Sequence, residues 1–281
     1  MTPQQVEEPD GTKHVVALII QTKFSTAAKC AVPVCESCLL VRAKKRSPGV
    51  VNKKAIPEKK GILARDKYEV GDFMSTNQFV VKTPGRLPSG FGRERHNNRF
   101  HGTNIYNDAA SGLIWVENQV SLGANKTIFG KTRFKNWLWD QAVSEVSHYH
   151  SSNGIFIKDG YRNDCKGKDQ TRSFSGVGAQ HQNSRVESAI QNIMYMARKF
   201  MIHSSLHWKE NGFDDITLWS FAIKHSVWLL NMVPNQESGI SPNEILTKTK
   251  SNNRYLRRSH VWGCPFFVLE TGLVWRNFLV F

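Results

Sequence analysis

Apolar positions along the chain follow two periods, one helical and one of strands. Between Ser175 and Met201 the residues Val186, Ile190, Ile193, Ala197 and Phe200 recur at spacings of three and four, which is one buried face of an amphipathic helix. Before that face the chain is polar and glycine-rich: Gly176-Val177-Gly178 runs into Gln180-His181-Gln182-Asn183. Asn183 or Ser184 serves as the N-cap, its side-chain oxygen accepting a free backbone N–H of the first turn. Glu187 falls in that turn, where the helix dipole favours a carboxylate. On its own, Glu187 reads as a helix-start charge.

The same spacing predicts a helix over Ala124–Ala142 (Ile128, Phe134, Leu138, Trp139) and another over Asp214–Met232 (Trp219, Ile223, Val227, Leu230). Asp159–Lys168 is also helical. Ser241-Pro242-Asn243-Glu244 starts a shorter helix, with Ser241 as N-cap and Pro242 at the first helical position. Short apolar runs bounded by turn residues predict strands. The first is Gln78–Val81, ended by Thr83-Pro84-Gly85, after which residues 84–102 read as a loop. Asn104–Asn107 and Gly112–Ser121 pair as a hairpin through Asp108-Ala109-Ala110-Ser111. Val146–Ser152 ends at Asn153-Gly154, and Thr171–Ser175 is the fifth strand. Three strands, a helix, a strand, a helix, a strand and then helices describe an α/β protein with a mixed five-stranded sheet flanked by helices.

A chain of 281 residues with 40% hydrophobic and 11% aromatic content buries a large core. Net charge changes the picture more. At +15, with a pI near 9.7, the chain favours a polyanionic partner, nucleic acid first and an anionic membrane surface second. Trp137, Trp139, Trp208, Trp219 and Trp228 follow helical faces and read as core rather than as a base-stacking platform. No signal pattern opens the chain, and Val15–Ile20 is too short to span a bilayer. The expectation is a soluble, non-secreted protein of the nucleus or cytoplasm, with Arg42-Ala43-Lys44-Lys45-Arg46 as a candidate entry signal.

Five cysteines are too few and too scattered for a disulfide framework. Cys35-Glu36-Ser37-Cys38 is a C-x-x-C knuckle whose spacing lets two thiolates grip one tetrahedral zinc, with Cys30 or His14 as upstream ligands. A redox pair or idle thiols fit the same spacing. His148 and His150 share one strand face and form a further candidate metal pair.

Several ordered motifs carry a resemblance. Cys35–Cys38 with its basic tail resembles a pre-integrase zinc knuckle. Ile105-Tyr106-Asn107-Asp108-Ala109-Ala110-Ser111 resembles a turn after a second core strand, and His148-Tyr149-His150-Ser151-Ser152-Asn153-Gly154 a strand ending in Ser-Asp-Asn-Gly. Gln182-Asn183-Ser184-Arg185-Val186-Glu187 resembles a Gln-Asn-Gly-x-x-Glu helix start. Leu230-Asn231-Met232-Val233-Pro234, Ser241–Glu244 and Trp262-Gly263-Cys264-Pro265 follow in order. Together, from about Cys35 to Leu269, the chain resembles the integrase region of copia-type long-terminal-repeat retrotransposons.

That resemblance implies an RNase H-like core over residues 68–250, preceded by a partial zinc-knuckle region and basic linker (1–60) and followed by a truncated extension (251–281). It also implies a triad of Asp, Asp and Glu that holds two Mg²⁺ ions for DNA integration. Thirty-five residues separate Ser152 from Glu187, close to the family's last interval. In the alignment Asn77 stands at the first aspartate, Ser152 at the second, and Glu187 alone is retained, so the formal charge of the set falls from −3 to −1. Asp72 would face the other side of a regular strand, and Asp108 would bond its own turn. His181, Gln182, Arg185 and Lys199 are the residues placed nearest DNA. The expectation is a degenerate integrase, binding retrotransposon DNA or other nucleic acid, self-associating, with Mg²⁺ chemistry lost and zinc at the knuckle. The alternative is a non-catalytic DNA- or RNA-binding module on the same core.

Overall fold

A computed structural model describes residues 35–42, 68–88, 99–176, 180–208, 215–235, 238–251, 256, 258–264, 268–269 and 275–276. Helix α1 (Glu36–Arg42) precedes the hairpin strands β1 (Met74–Gly85), β2 (Phe100–Asp108) and β3 (Ile114–Gln119). Then come α2 (Ala124–Ala142), β4 (His148–Ser151), α3 (Asp159–Lys166), β5 (Thr171–Phe174), α4 (Ser184–His207), α5 (Trp219–Met232) and α6 (Pro242–Thr247). Two short strands, β6 (Val268–Leu269) and β7 (Trp275–Arg276), pair with each other. The main sheet has the order β3-β2-β1-β4-β5. β1–β2 and β2–β3 are antiparallel, while β1–β4 and β4–β5 are parallel. This is the mixed five-stranded sheet expected from the sequence.

Alternation along the strands sends neighbours to opposite faces. Met74, Tyr106 and Tyr149 enter a core with Phe134, Leu138, Tyr161 and Cys165 of α2 and α3. Ile105, Ile114 and Val116 enter a second core with Val186, Ala189, Ile193, Trp219 and Ile223 of α4 and α5. The sheet is therefore covered on both sides, and the α4 side carries the candidate site.

Several boundaries differ from the sequence expectation. β1 begins at Met74 and continues through Thr83-Pro84-Gly85 instead of turning there. Its register shifts between Val80 and Gly85, and that irregularity accommodates Pro84, which has no N–H for a ladder bond. Trp219 holds the segment, its Nε1 donating to the Thr83 carbonyl at 2.8 Å. α5 starts at Trp219 rather than Asp214. Asp215 accepts from Thr217 N and Oγ1 at 2.8 and 2.7 Å, and this local bonding shapes a 3-10 turn, Ile216–Leu218, before the helix. Of the tryptophans expected in the core, Trp219 is buried, Trp137, Trp208 and Trp228 are half-buried, and Trp139 is exposed. α6 carries the full capping box between Ser241 and Glu244.

His14, Cys30, the run 43–46, the linker Lys53–Lys60 and the stretch Val15–Ile20 lie outside the described residues, as does most of the chain beyond 264. No helix among the described residues is long and apolar enough to cross a membrane.

Candidate functional site

β1 and β4 run parallel with Thr76 opposite Ser151, so the next residues along, Asn77 and Ser152, lie side by side. Asn77 pairs with Ile105, whose side chain enters the α4–α5 core. The Ser152 hydroxyl donates to Asn77 Oδ1 at 2.7 Å. That oxygen also accepts the Gln78 N–H at 2.9 Å. Helix α4 starts against this pair: buried Asn183 donates from Nδ2 to the Thr76 carbonyl at 3.2 Å. Glu187 follows Asn183 by one helical turn. It is half-buried, and no hydrogen bond or ion pair among the described residues engages its carboxylate.

These residues do not fit Mg²⁺. A hard divalent cation wants several anionic oxygens in near-octahedral array, and the set offers one carboxylate. The Asn77 oxygen already accepts two protons, and the Ser152 hydroxyl is spent on it. Two nearby aspartates are also committed. Asp72 lies in the turn before β1, not on the opposite strand face as its parity implied, and its Oδ2 accepts the Glu69 N–H at 2.8 Å. Asp108 pairs with Met74, three register positions from Asn77. Its Oδ1 accepts Gly71 N–H at 3.0 Å, and its Oδ2 accepts Ser111 N–H and Oγ–H at 2.7 and 2.6 Å. As expected from sequence, Asp108 builds its turn. Asp108→Ala should lower stability by about 2–3 kcal/mol, since hydrogen bonds to a buried carboxylate are lost and the donors are left unpaired. The shift in urea midpoint checks it, and an unchanged midpoint contradicts it.

His148 and His150 lie on the same sheet face as Asn77. Ser173 Oγ sits between them, 2.7 Å from His148 Nε2 and 2.8 Å from His150 Nδ1. His148 Nδ1 meets Thr171 Oγ1 at 2.8 Å, and Phe73 stacks on both imidazoles. No group of three or more metal-ligating side chains is assembled among the described residues. This hydroxyl–imidazole ladder was missed in the sequence, although Thr171, Ser173 and Ser175 alternate along β5 and so share a face. Burial holds both histidines below their ordinary range, and for His148 the neighbouring His150 charge acts the same way. The unfolded chain therefore binds protons more readily. Stability should be fully present above the ordinary histidine pKa and fall as pH drops through it toward the folded values. Replacing both histidines by asparagine should flatten the pH dependence of the urea midpoint between about pH 7.5 and 5.5. An unaltered slope would exclude them as its source.

The other candidates are spread along α4. Gln182 is exposed, and its Oε1 accepts Gly176 N–H at 2.7 Å, closing the loop before the helix. His181 lies in the 3-10 turn Gln180–Asn183, and its side chain is outside the described residues. Arg185 Nη1 donates to the Ala109 carbonyl at 3.1 Å and ties α4 to the β2–β3 turn. Lys199 is about 20 Å further along the helix from Arg185, with its Nζ 4.2 Å over the Tyr195 ring. Its charge also reaches Cys38, because α1 packs on α4. Cys35 directly precedes α1 and Cys38 lies within it; both are half-buried free thiols. Burial pushes Cys38 up, as does Cys35, against the Lys199 charge. For Cys35 burial acts upward, but hydrogen bonds from Cys38 and Ser37 hold the thiol lower.

No family model matches the chain, and no curated protein matches it in sequence. Among solved structures, the chain is similar to a chain in the simian T-cell lymphotropic virus intasome in complex with PP2A regulatory subunit B56 gamma. That match has 10% identity and a TM-score of 0.48, and covers 63% of this chain and 54% of the other. The chain thus spans about half the length of that intasome chain. It is also similar to the HTLV-2 integrase catalytic core domain in complex with magnesium. The trimeric form matches with 16% identity, a TM-score of 0.44, and coverage of 62% and 95%. The dimeric form matches with 15% identity, a TM-score of 0.44, and coverage of 63% and 97%.

Proposed function

We propose that this chain is a copia-type integrase core that binds nucleic acid and has lost the Mg²⁺-dependent chemistry of DNA integration. The observation that carries this reading is the hydrogen bond from Ser152 to Asn77 Oδ1 at 2.7 Å. It stands at the meeting of β1, β4 and the start of α4, where the motif resemblance places two metal-binding aspartates. A neutral pair that satisfies itself needs no cation between its members. Glu187, with no partner among the described residues, is the remnant of the set. The RNase H-like core occupies 68–250 in this reading, behind a knuckle and linker (1–60) and ahead of an extension (251–281). Cys35 and Cys38 hold zinc together with Cys30 or His14. The protein self-associates and works on nuclear or cytoplasmic nucleic acid.

The net charge of +15 supports the binding half, since phosphate contacts release counterions and dominate affinity. Fluorescence anisotropy with a labelled duplex tests it. Affinity should fall at least tenfold as salt rises from about 50 to about 200 mM, with little dependence on base sequence. No binding at the lower salt would discard the nucleic-acid reading.

A further inference from the structure

Beneath α2 and α3, on the opposite face of the sheet from the site above, lies a buried charged cluster with chemistry of its own. Lys131 on α2 is 1% exposed. Its Nζ lies 2.7 Å from Asp164 Oδ2 and 3.1 Å from Cys165 Sγ, both on α3. The rings of Tyr149 and Tyr161 stand 5.0 and 5.2 Å from the same nitrogen. Their buried hydroxyls have no hydrogen-bond partner among the described residues, so two phenol donors remain unused in the same core. Asp164 has a second cation, Lys168, at 2.8 Å. Neutralising Lys131 would therefore not orphan that carboxylate.

We propose that Cys165 and Lys131 form a reversible sulfur–nitrogen bond, a sulfenamide, when the protein meets hydrogen peroxide, which makes this pair a modification site joining α2 to α3. Sulfur is oxidised and peroxide reduced: Cys165 Sγ bonds one peroxide oxygen, the O–O bond breaks, and a sulfenic acid and one water result. Sulfenic acids condense with nearby nucleophiles, and the nucleophile in contact here is Lys131 Nζ. The ammonium gives one proton to Asp164, and the amine lone pair attacks Sγ. The S–O bond breaks, and hydroxide leaves as a second water with another proton from the nitrogen. The unused phenols of Tyr149 and Tyr161 are donors for the peroxide and sulfenic oxygens. Entry comes by local opening of α3, an eight-residue helix whose N-terminus has no side-chain cap.

The full chain treated with hydrogen peroxide, digested without reductant and read by mass spectrometry tests this. The expected product is one linked species containing the Lys131 and Cys165 peptides, lighter than their sum by two hydrogens and released by dithiothreitol. Lys131→Arg keeps a cation beside Asp164 but removes the amine, so the link should vanish and dimedone should capture Cys165 as its sulfenic acid. Cys35, Cys38 and Cys264 serve as references in the same sample. If they oxidise while Cys165 remains a free thiol, the proposal fails. It fails equally if Cys165 goes to sulfinic acid unlinked, or if the link retains an oxygen atom.

Discussion

Replacing Asn77 and Ser152 together by aspartate is expected to make the stability of this protein depend on Mg²⁺, whereas the native chain is expected to show no such response. Without metal, the double variant exchanges a 2.7 Å hydrogen bond for two carboxylates in the same space. The lost bond and the like-charge repulsion together cost about 2–3 kcal/mol, moderated because one carboxyl takes up a proton. Mg²⁺ then finds three carboxylates where the native set has one. At a hundredfold excess over its dissociation constant it returns about 2.7 kcal/mol. Thermal unfolding with and without Mg²⁺ reads both effects as a fall in Tm and its recovery. Asn77→Asp alone behaves differently, because Ser152 still donates, now to a carboxylate, and the charge reaches only two; no Mg²⁺ response is expected. A double variant whose Tm is the same with and without Mg²⁺ would show that Glu187 does not complete the site.

The second large effect lies in the buried cluster. Asp164→Asn leaves the Lys131 ammonium without its carboxylate at 1% exposure. Breaking one side of a buried pair costs about 3–5 kcal/mol, so a large drop in urea midpoint is expected at neutral pH. Lys131→Met should lose less, since Asp164 retains Lys168. Burial acts to raise the Asp164 carboxyl, but hydrogen bonds from Lys131 and Lys168 and their charges outweigh it and hold it below the usual range. Its stabilisation is therefore fully present above the unfolded aspartate value, about pH 3.9, and is lost as pH falls through the lower folded value. The acid limb of the stability curve should be steeper in the native protein than in Asp164→Asn. Equal midpoints for Asp164→Asn and the native chain would mean that Lys131 is solvated.

The long helices were legible because their apolar spacing is regular: Ala124–Ala142 begins and ends where its pattern does. The capping box at Ser241 was legible for a local reason, since it involves residues three apart. Sheet topology followed from the alternation of strands and helices. The start of β1 was hidden because Met74, Ser75 and Thr76 are all buried and show no alternation. Pro84 masked its far end by imitating a turn. At the site, the motifs led to Asn77, Ser152 and Glu187, but the bonds between elements were out of reach. Ser152 meets Asn77 across 75 positions, and Asn183 meets Thr76 across 107. No periodicity in one sequence encodes such pairs. Lys131 was hidden by its type: a lysine within a helix reads as a solvated charge, and only the packing of α3 against α2 reveals an ion pair inside the core.

The most direct test of the central claim is a 3′-processing and strand-transfer assay on the native chain, with labelled long-terminal-repeat ends and either Mg²⁺ or Mn²⁺. The expected result is no cleaved or joined product above the protein-free blank with either metal, and no difference between the native chain and Glu187→Gln. Turnover by the native chain that Glu187→Gln abolishes would contradict the claim, because one carboxylate would then be enough to run the reaction.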